Sequence, residues 1–170
     1  MVIQEAIDIH APLPVVWRVF SEMEDWESWN TVCENCCLIE GDEMAPGTCF
    51  SFTLRPYRIP IQIAPKIVKC DPGKEVIWAG SRLGVHAEHS FTFEEKDGKV
   101  ILTSIEEFGG PMFWASWLAL IPIRLHRLTR QMLKAIKTKA ESCTHYITRF
   151  PDRLRIQPKQ PKKHKTGNPS

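Results

Sequence analysis

His89 and Glu106 are the residues of this chain best suited by type and setting to acid–base chemistry. In the β-rich run Gly84–Lys96, His89 shares a strand face with Phe91 and Phe93, whereas His86 falls with Glu88, Ser90 and Thr92. An imidazole on an apolar face can hydrogen-bond a ligand carbonyl or move a proton. It can equally be a histidine satisfied inside a core or turned to solvent. Glu106 shares its face with Ser104 and Phe108. A carboxylate buried there needs a partner or a raised pKa, and Arg55, Arg58 and Arg82 are cations available to it. A solvent-facing glutamate at a strand end accounts for the same pattern.

Six cysteines stand at 33, 36, 37, 49, 70 and 143. Cys33-Glu34-Asn35-Cys36 has the C-x-x-C spacing of half a zinc site, but a closed site needs a second pair at similar spacing and none follows. The expectation is no metal, with the cysteines acting as small buried hydrophobes. No hydrolytic triad, phosphate-binding glycine loop or paired-carboxylate glycosidase site is apparent.

The elements that must hold these residues are readable in order. Val2–His10 alternates as a strand. Pro14 suits a first helical turn, and Val15, Val16, Val19 and Phe20 recur at helical spacing over 13–21; a second short helix spans 23–29, and Asn30 reads as its cap. Strands follow at Cys33–Glu40, Thr48–Leu54, Ile59–Cys70, Val76–Gly80, Gly84–Lys96 and Lys99–Phe108. Pro65 marks an edge or bulge in the fourth of the seven strands. Asp71-Pro72-Gly73-Lys74 and Lys96-Asp97-Gly98 are turn signals. One long helix runs from Met112 to about Tyr146, kinked at Pro122. Leu118, Ile121, Leu125, Leu128, Met132 and Ile136 form its apolar stripe, with Arg124, Arg127, Arg130, Lys134 and Lys137 opposite.

Consecutive strands on short turns pair antiparallel. One amphipathic helix is available to cover the sheet, so the expected fold is α+β: a seven-stranded, twisted antiparallel sheet wrapped around the C-terminal helix, with two short helices between strands 1 and 2. One helix cannot fill that concavity. An empty void of ~300 Å³ would cost about 7 kcal/mol, comparable with a whole domain's stability. The space is therefore collapsed, hydrated or occupied by a ligand.

Ile9-His-Ala-Pro-Leu-Pro-Val-Val-Trp17, Trp29-Asn30, Val68-Lys-Cys-Asp-Pro-Gly-Lys-Glu-Val-Ile-Trp78-Ala-Gly80 and Glu106-Glu-Phe108-Gly-Gly110 resemble, in order and spacing over residues 2–143, the START-like superfamily (SRPBCC; polyketide cyclase/dehydrase and lipid transport). The resemblance implies the helix-grip fold and a deep apolar cavity for a lipid, polyketide or quinone-like molecule. It places Trp78 on the cavity wall and Glu106 at the acidic position before the glycine. The expected ligand-binding residues are Trp78, His89, Phe91, Glu106, Phe108, Trp114, Leu118 and Ile121. The function expected is binding or transfer of a hydrophobic small molecule, without a cofactor. The alternative is a polyketide cyclase/dehydratase-type enzyme with His89 and Glu106 as catalytic candidates. Trp17 and Trp29 belong to a cap over one end of the grip, beside which the ligand enters.

Charge divides the chain. Residues 150–170 hold six Lys/Arg and one Asp, a local balance of +5, so the remainder carries −3 against the whole chain's +2. This Pro- and Lys-rich tail reads as disordered after a domain over 1–149. With the last helix it can contact an anionic membrane. Nucleic acid is not expected, because no aromatic residues interleave the basic ones. The longest apolar run, Pro111–Ile123, is thirteen residues, short of a membrane span. No secretory signal is recognisable, and the expected location is cytoplasmic.

Overall fold

The computed structural model describes residues 1–41, 43–55, 59–82, 84–111 and 121–149. The tail 150–170 and the helix-start residues Trp114 and Leu118 lie outside the described residues, as does the turn before Pro122 on which the expected kink depends. Ile121 is described in its backbone alone.

Among the described residues, eight strands form one antiparallel sheet: β1 (Val2–Ile9), β2 (Glu34–Glu40), β3 (Cys49–Leu54), β4 (Ile61–Ile63), β5 (Lys66–Asp71), β6 (Glu75–Arg82), β7 (Val85–Lys96) and β8 (Lys99–Gly109). Their order across the sheet is β1-β8-β7-β6-β5-β3-β2, with β4 also paired to β3. The extra strand arises where sequence reading expected a break. Proline has no amide to give to a ladder, so Pro65 splits the run 59–70 into β4 and β5. Its carbonyl still accepts the Phe50 amide at 3.3 Å, which keeps both pieces on β3.

The turns follow their residue types. Lys74 N–H donates to the Asp71 carbonyl at 2.9 Å across Pro72-Gly73, with Gly73 at φ +75°, as a type II turn requires. The β7–β8 hairpin turns on Asp97 and Gly98, both at positive φ (+52° and +74°). That is the two-residue loop which suits the twist of paired strands.

Between β1 and β2 lie α1 (Leu13–Ser21), with Pro14 in its first turn, and a 3₁₀ helix (Met23–Ser28). Val16, Val19 and Phe20 of α1 and Met23 and Trp26 of the 3₁₀ helix are buried, and the Trp26 indole N–H donates to the Phe20 carbonyl at 2.9 Å. Asn30 is buried behind them. Its side-chain oxygen accepts the Val32 amide at 2.9 Å, so it shapes the exit into β2, while Trp29 caps the 3₁₀ helix.

The long helix α2 (Ile121–Arg149) buries Thr129, Met132, Leu133, Ile136 and Ala140, a stripe at helical spacing. Two basic residues assigned to its solvent face reach the sheet edge instead. Arg130 Nε lies 2.7 Å from Glu5 Oε1, and Lys137 Nζ donates to the Asp8 carbonyl at 2.7 Å. Long stems let a charged head leave the face its Cα occupies. No helix among the described residues is long and apolar enough to cross a membrane.

Candidate functional site

The inner face of β7 and β8 changes chemistry along its length. At one level Phe91 and Phe93 of β7 and Val100 and Leu102 of β8 are buried. Trp78 (4 % exposed) and Phe91 (fully buried) are packed in a ring cluster with Phe20, Trp26 and Phe50. Trp78, which the motif places on a cavity wall, and Phe91 therefore contribute to a filled core.

One pleat further along, the face turns polar. His89 and Glu106 are register partners across β7 and β8. His89 Nδ1 lies 3.2 Å from Glu106 Oε1, and His89 Nε2 lies 2.7 Å from Ser104 Oγ. Helix α2 closes over the pair with Thr129, whose hydroxyl is 3.1 Å from both Glu106 Oε2 and the Leu125 carbonyl, one hydrogen between two acceptors. The imidazole stacks on Phe91, with centroids 4.0 Å apart, and meets Trp78 edge-on at 5.3 Å.

Burial pushes the Glu106 carboxyl up, but the facing His89, by charge and by hydrogen bond, and the Thr129 hydroxyl outweigh it, so the carboxyl lies below its ordinary range. It is an anion in an apolar setting. As an acceptor it orders the imidazole, with N–H on Nδ1 toward Glu106 and Nε2 toward Ser104. Both imidazole nitrogens are thus engaged by protein groups. Among the described residues each carboxylate oxygen has one protein donor, His89 at Oε1 and Thr129 at Oε2, and keeps acceptor capacity.

Beyond Glu106 the face is half-buried at Phe108 of β8 and at Ala87 and Val85 of β7. Gly110 closes this end at φ +106°; a Cβ there would come within 2.3 Å of the Gly84 carbonyl oxygen, so glycine is required by space as well as conformation.

His89 and Glu106 are thus brought together, with Phe108 next along the face. The group facing Glu106 is His89 rather than an arginine: Arg55 pairs with Glu34 at 2.6 Å, Arg82 donates to the Gln62 carbonyl, and Arg58 lies outside the described residues. Ser104 and Thr129 were missed as site residues. Ser104 had a signal, being two residues from Glu106 on one strand face. Thr129 had a weaker one, as a polar residue four after Leu125 on the apolar stripe. The serine–histidine–glutamate chain is likewise invisible at spacings of fifteen and two residues.

A cavity of about 830 Å³ lies elsewhere, between the 3₁₀ helix, the β2–β3 connection and the β5–β6 turn, lined by residues including Trp17, Met23, Cys36, Met44 and Cys70. Among the described residues no three His, Cys, Asp or Glu side chains cluster as metal ligands do.

Residues 1–141 match the family described as polyketide cyclase / dehydrase and lipid transport. The chain belongs to that family. No curated protein matches it in sequence. Its fold is that of the Zhui aromatase/cyclase from Streptomyces sp. R1128 (TM-score 0.72, 13 % identity, covering 83 % of this chain and 93 % of that one). TTHA0849 from Thermus thermophilus superposes equally well (TM-score 0.72, 11 % identity, covering 85 % and 99 %). A START superfamily protein from Mycobacterium smegmatis aligns over 86 % and 98 % (TM-score 0.60, 10 % identity). At such identities the likeness concerns the fold alone, and this family member has the helix-grip architecture expected of it.

Proposed function

We propose that this chain binds a hydrophobic small molecule along the inner face of β7 and β8, anchored by the Glu106 carboxylate. The carrying observation is the Glu106–His89 pair, an ionised carboxylate 3.2 Å from an imidazole on the inward face of β7 and β8, between Phe91 and Phe108. An isolated charge there is costly, and its remaining lone pairs favour a ligand that donates a hydrogen bond. An amphipathic molecule with an apolar body and a hydroxyl, such as a hydroxylated lipid or a polyketide phenol, meets both demands. Phe108 and Val85 would flank its apolar part.

The expected test result is a melting temperature that rises with ligand concentration. Glu106→Gln should weaken the apparent affinity about thirtyfold, since charge-assisted hydrogen bonds contribute about 2 kcal/mol. Unchanged affinity in the variant, with fold retained, overturns the anchor.

A second reading, a cyclase/dehydratase-type enzyme, is favoured by the Ser104–His89–Glu106 chain. Glu106 would take the substrate proton, with His89 as a positioning residue whose hydrogen bond to the carboxylate tunes its basicity. This reading requires turnover of a poly-β-ketone thioester that Glu106→Gln abolishes and His89→Asn reduces with a displaced pH profile. Retained turnover in both variants removes it.

A further inference from the structure

Strand β2 begins with an irregularity that brings two thiols together. Glu34 pairs with Thr53 and Cys37 with Ser51, three steps on one strand against two on its neighbour. Asn35 absorbs the extra residue at φ +51°, a left-handed conformation that asparagine tolerates better than most residues. Glu34 and Cys37 face the same side, as their partners Thr53 and Ser51 do, so Cys33 and Cys36 fall together on the other side of this strand start. Cys33 is buried at 1 % exposure, whereas Cys36 is half-buried and lines the 830 Å³ cavity.

We propose that Cys33 and Cys36 form a thiol–disulfide exchange site, with Cys36 the attacking sulfur, Cys33 the resolving sulfur, and small cationic disulfides as substrates. The two sulfurs differ as such a site requires. At Cys36 the Cys33 hydrogen bond lowers the pKa and stabilises the thiolate. At Cys33 the hydrogen bond to Cys36, then burial and the Glu106 charge, hold the thiol protonated. The charge preference comes from the cavity, which Glu22, Glu24, Asp25 and Glu43 also line. A disulfide carrying ammonium groups is attracted there, and one carrying carboxylates is repelled.

The reaction balances in two displacements. The Cys36 thiolate attacks one sulfur of the small disulfide, forming a mixed disulfide and expelling one thiolate, which takes up a proton. Cys33 then loses its proton, attacks the Cys36 sulfur and expels the second small thiol. The protein loses two electrons and two hydrogens, and the small disulfide becomes two thiols. Exposed Cys37 is the internal control, since its Sγ turns to Ser51 Oγ at 3.1 Å instead of to Cys33.

The experiment treats the full reduced chain with cystamine or, separately, oxidised glutathione, quenches with acid and maps the linkages by peptide mass spectrometry. The expected product is a Cys33–Cys36 crosslink, forming several-fold faster with cystamine. Cys33→Ser should accumulate a cysteamine adduct on Cys36, and Cys36→Ser should give no crosslink. First adducts on Cys37, a crosslink elsewhere, or equal rates for both disulfides overturn the proposal. The wild-type mapping needs no variant, so a poorly folding variant leaves the test standing.

Discussion

Strands β7 and β8 carry two chemistries on one face, and the change falls one inward position earlier on β8, at Ser104 opposite Phe91, than on β7, at His89 opposite Glu106. On β7 the inward series runs Phe93, Phe91, His89, Ala87; on β8 it runs Val100, Leu102, Ser104, Glu106, Phe108. The apolar half is covered by α1 and the 3₁₀ helix, through Phe20 and Trp26. The polar half meets α2, through Thr129. The first contact excludes water and locks the sheet to its cap. The second holds an ionised side chain in place, which packing alone has no need of. Burial without chemistry marks a core, and burial with a maintained charge marks a candidate site.

The largest expected effect tests the apolar half. Phe20 meets Trp17, Trp26, Trp78, Phe91 and Phe93. Phe20→Ala should cost about 4 kcal/mol, as large-to-small changes in filled cores do. Urea unfolding at several pH values should show the loss to be independent of pH, because no titrating group is removed. A loss below about 1 kcal/mol would mean that this cluster is loosely packed, and the contrast between the halves would fail.

Next comes Glu106→Gln, with an expected loss of about 2 kcal/mol near neutrality. Its signature is pH dependence. The native Glu106 carboxyl lies below the ordinary value near 4.5 because His89 and Thr129 outweigh burial. A depressed native pKa contributes stability that is fully present above the unfolded value and disappears as pH falls through the native one. The difference between wild type and variant should therefore be constant at neutral pH and shrink only in acid, below about 4.5. A difference that instead persists undiminished in acid would show that Glu106 acts through shape rather than charge.

The sequence disclosed these halves unequally, for a physical reason. Strand faces follow a period of two and helix stripes a period near 3.6, so neighbours such as Phe91, Phe93 and His89 could be placed on one face from local pattern. Pro65 even located the break that makes eight strands from seven. What local pattern cannot encode is pairing between distant elements. His89 against Glu106 depends on hairpin register, and Thr129 against Glu106 on the rotation of α2. For the same reason the arginines looked as suitable for Glu106 as the histidine did. Trp78 fits wall and core motifs alike, and the rings it packs against, from α1, the 3₁₀ helix and β3, lie far from it in sequence. The C-x-x-C spacing was visible, but its meaning needed the bulge at Asn35.

The smallest effect sharpens where the polar half ends. Glu5 of β1 pairs with Ser104 in register, one strand over from the His89–Glu106 pair. Its Oε1 lies 2.7 Å from both His126 Nε2 and Arg130 Nε. On distances alone it rivals Glu106. Solvent separates them, because the His126 and Arg130 side chains are 42 % and 59 % exposed, against 9 % for His89. Water screens an ion pair with one wet member, so such pairs contribute about 0.5 kcal/mol. Glu5→Gln should therefore cost about that much in urea unfolding, and 0.5 M salt, a concentration of about three times the physiological level, should erase most of it. The Glu106 contribution, with its His89 partner packed on Phe91 and Trp78 and Thr129 of α2 on its other oxygen, should survive the same salt. If both substitutions cost the same and respond alike to salt, the polar half is one continuous seam gluing α2 to the sheet. A clear difference leaves Glu106 as a charge whose partner is shielded from solvent, which a seam does not require and a ligand anchor does.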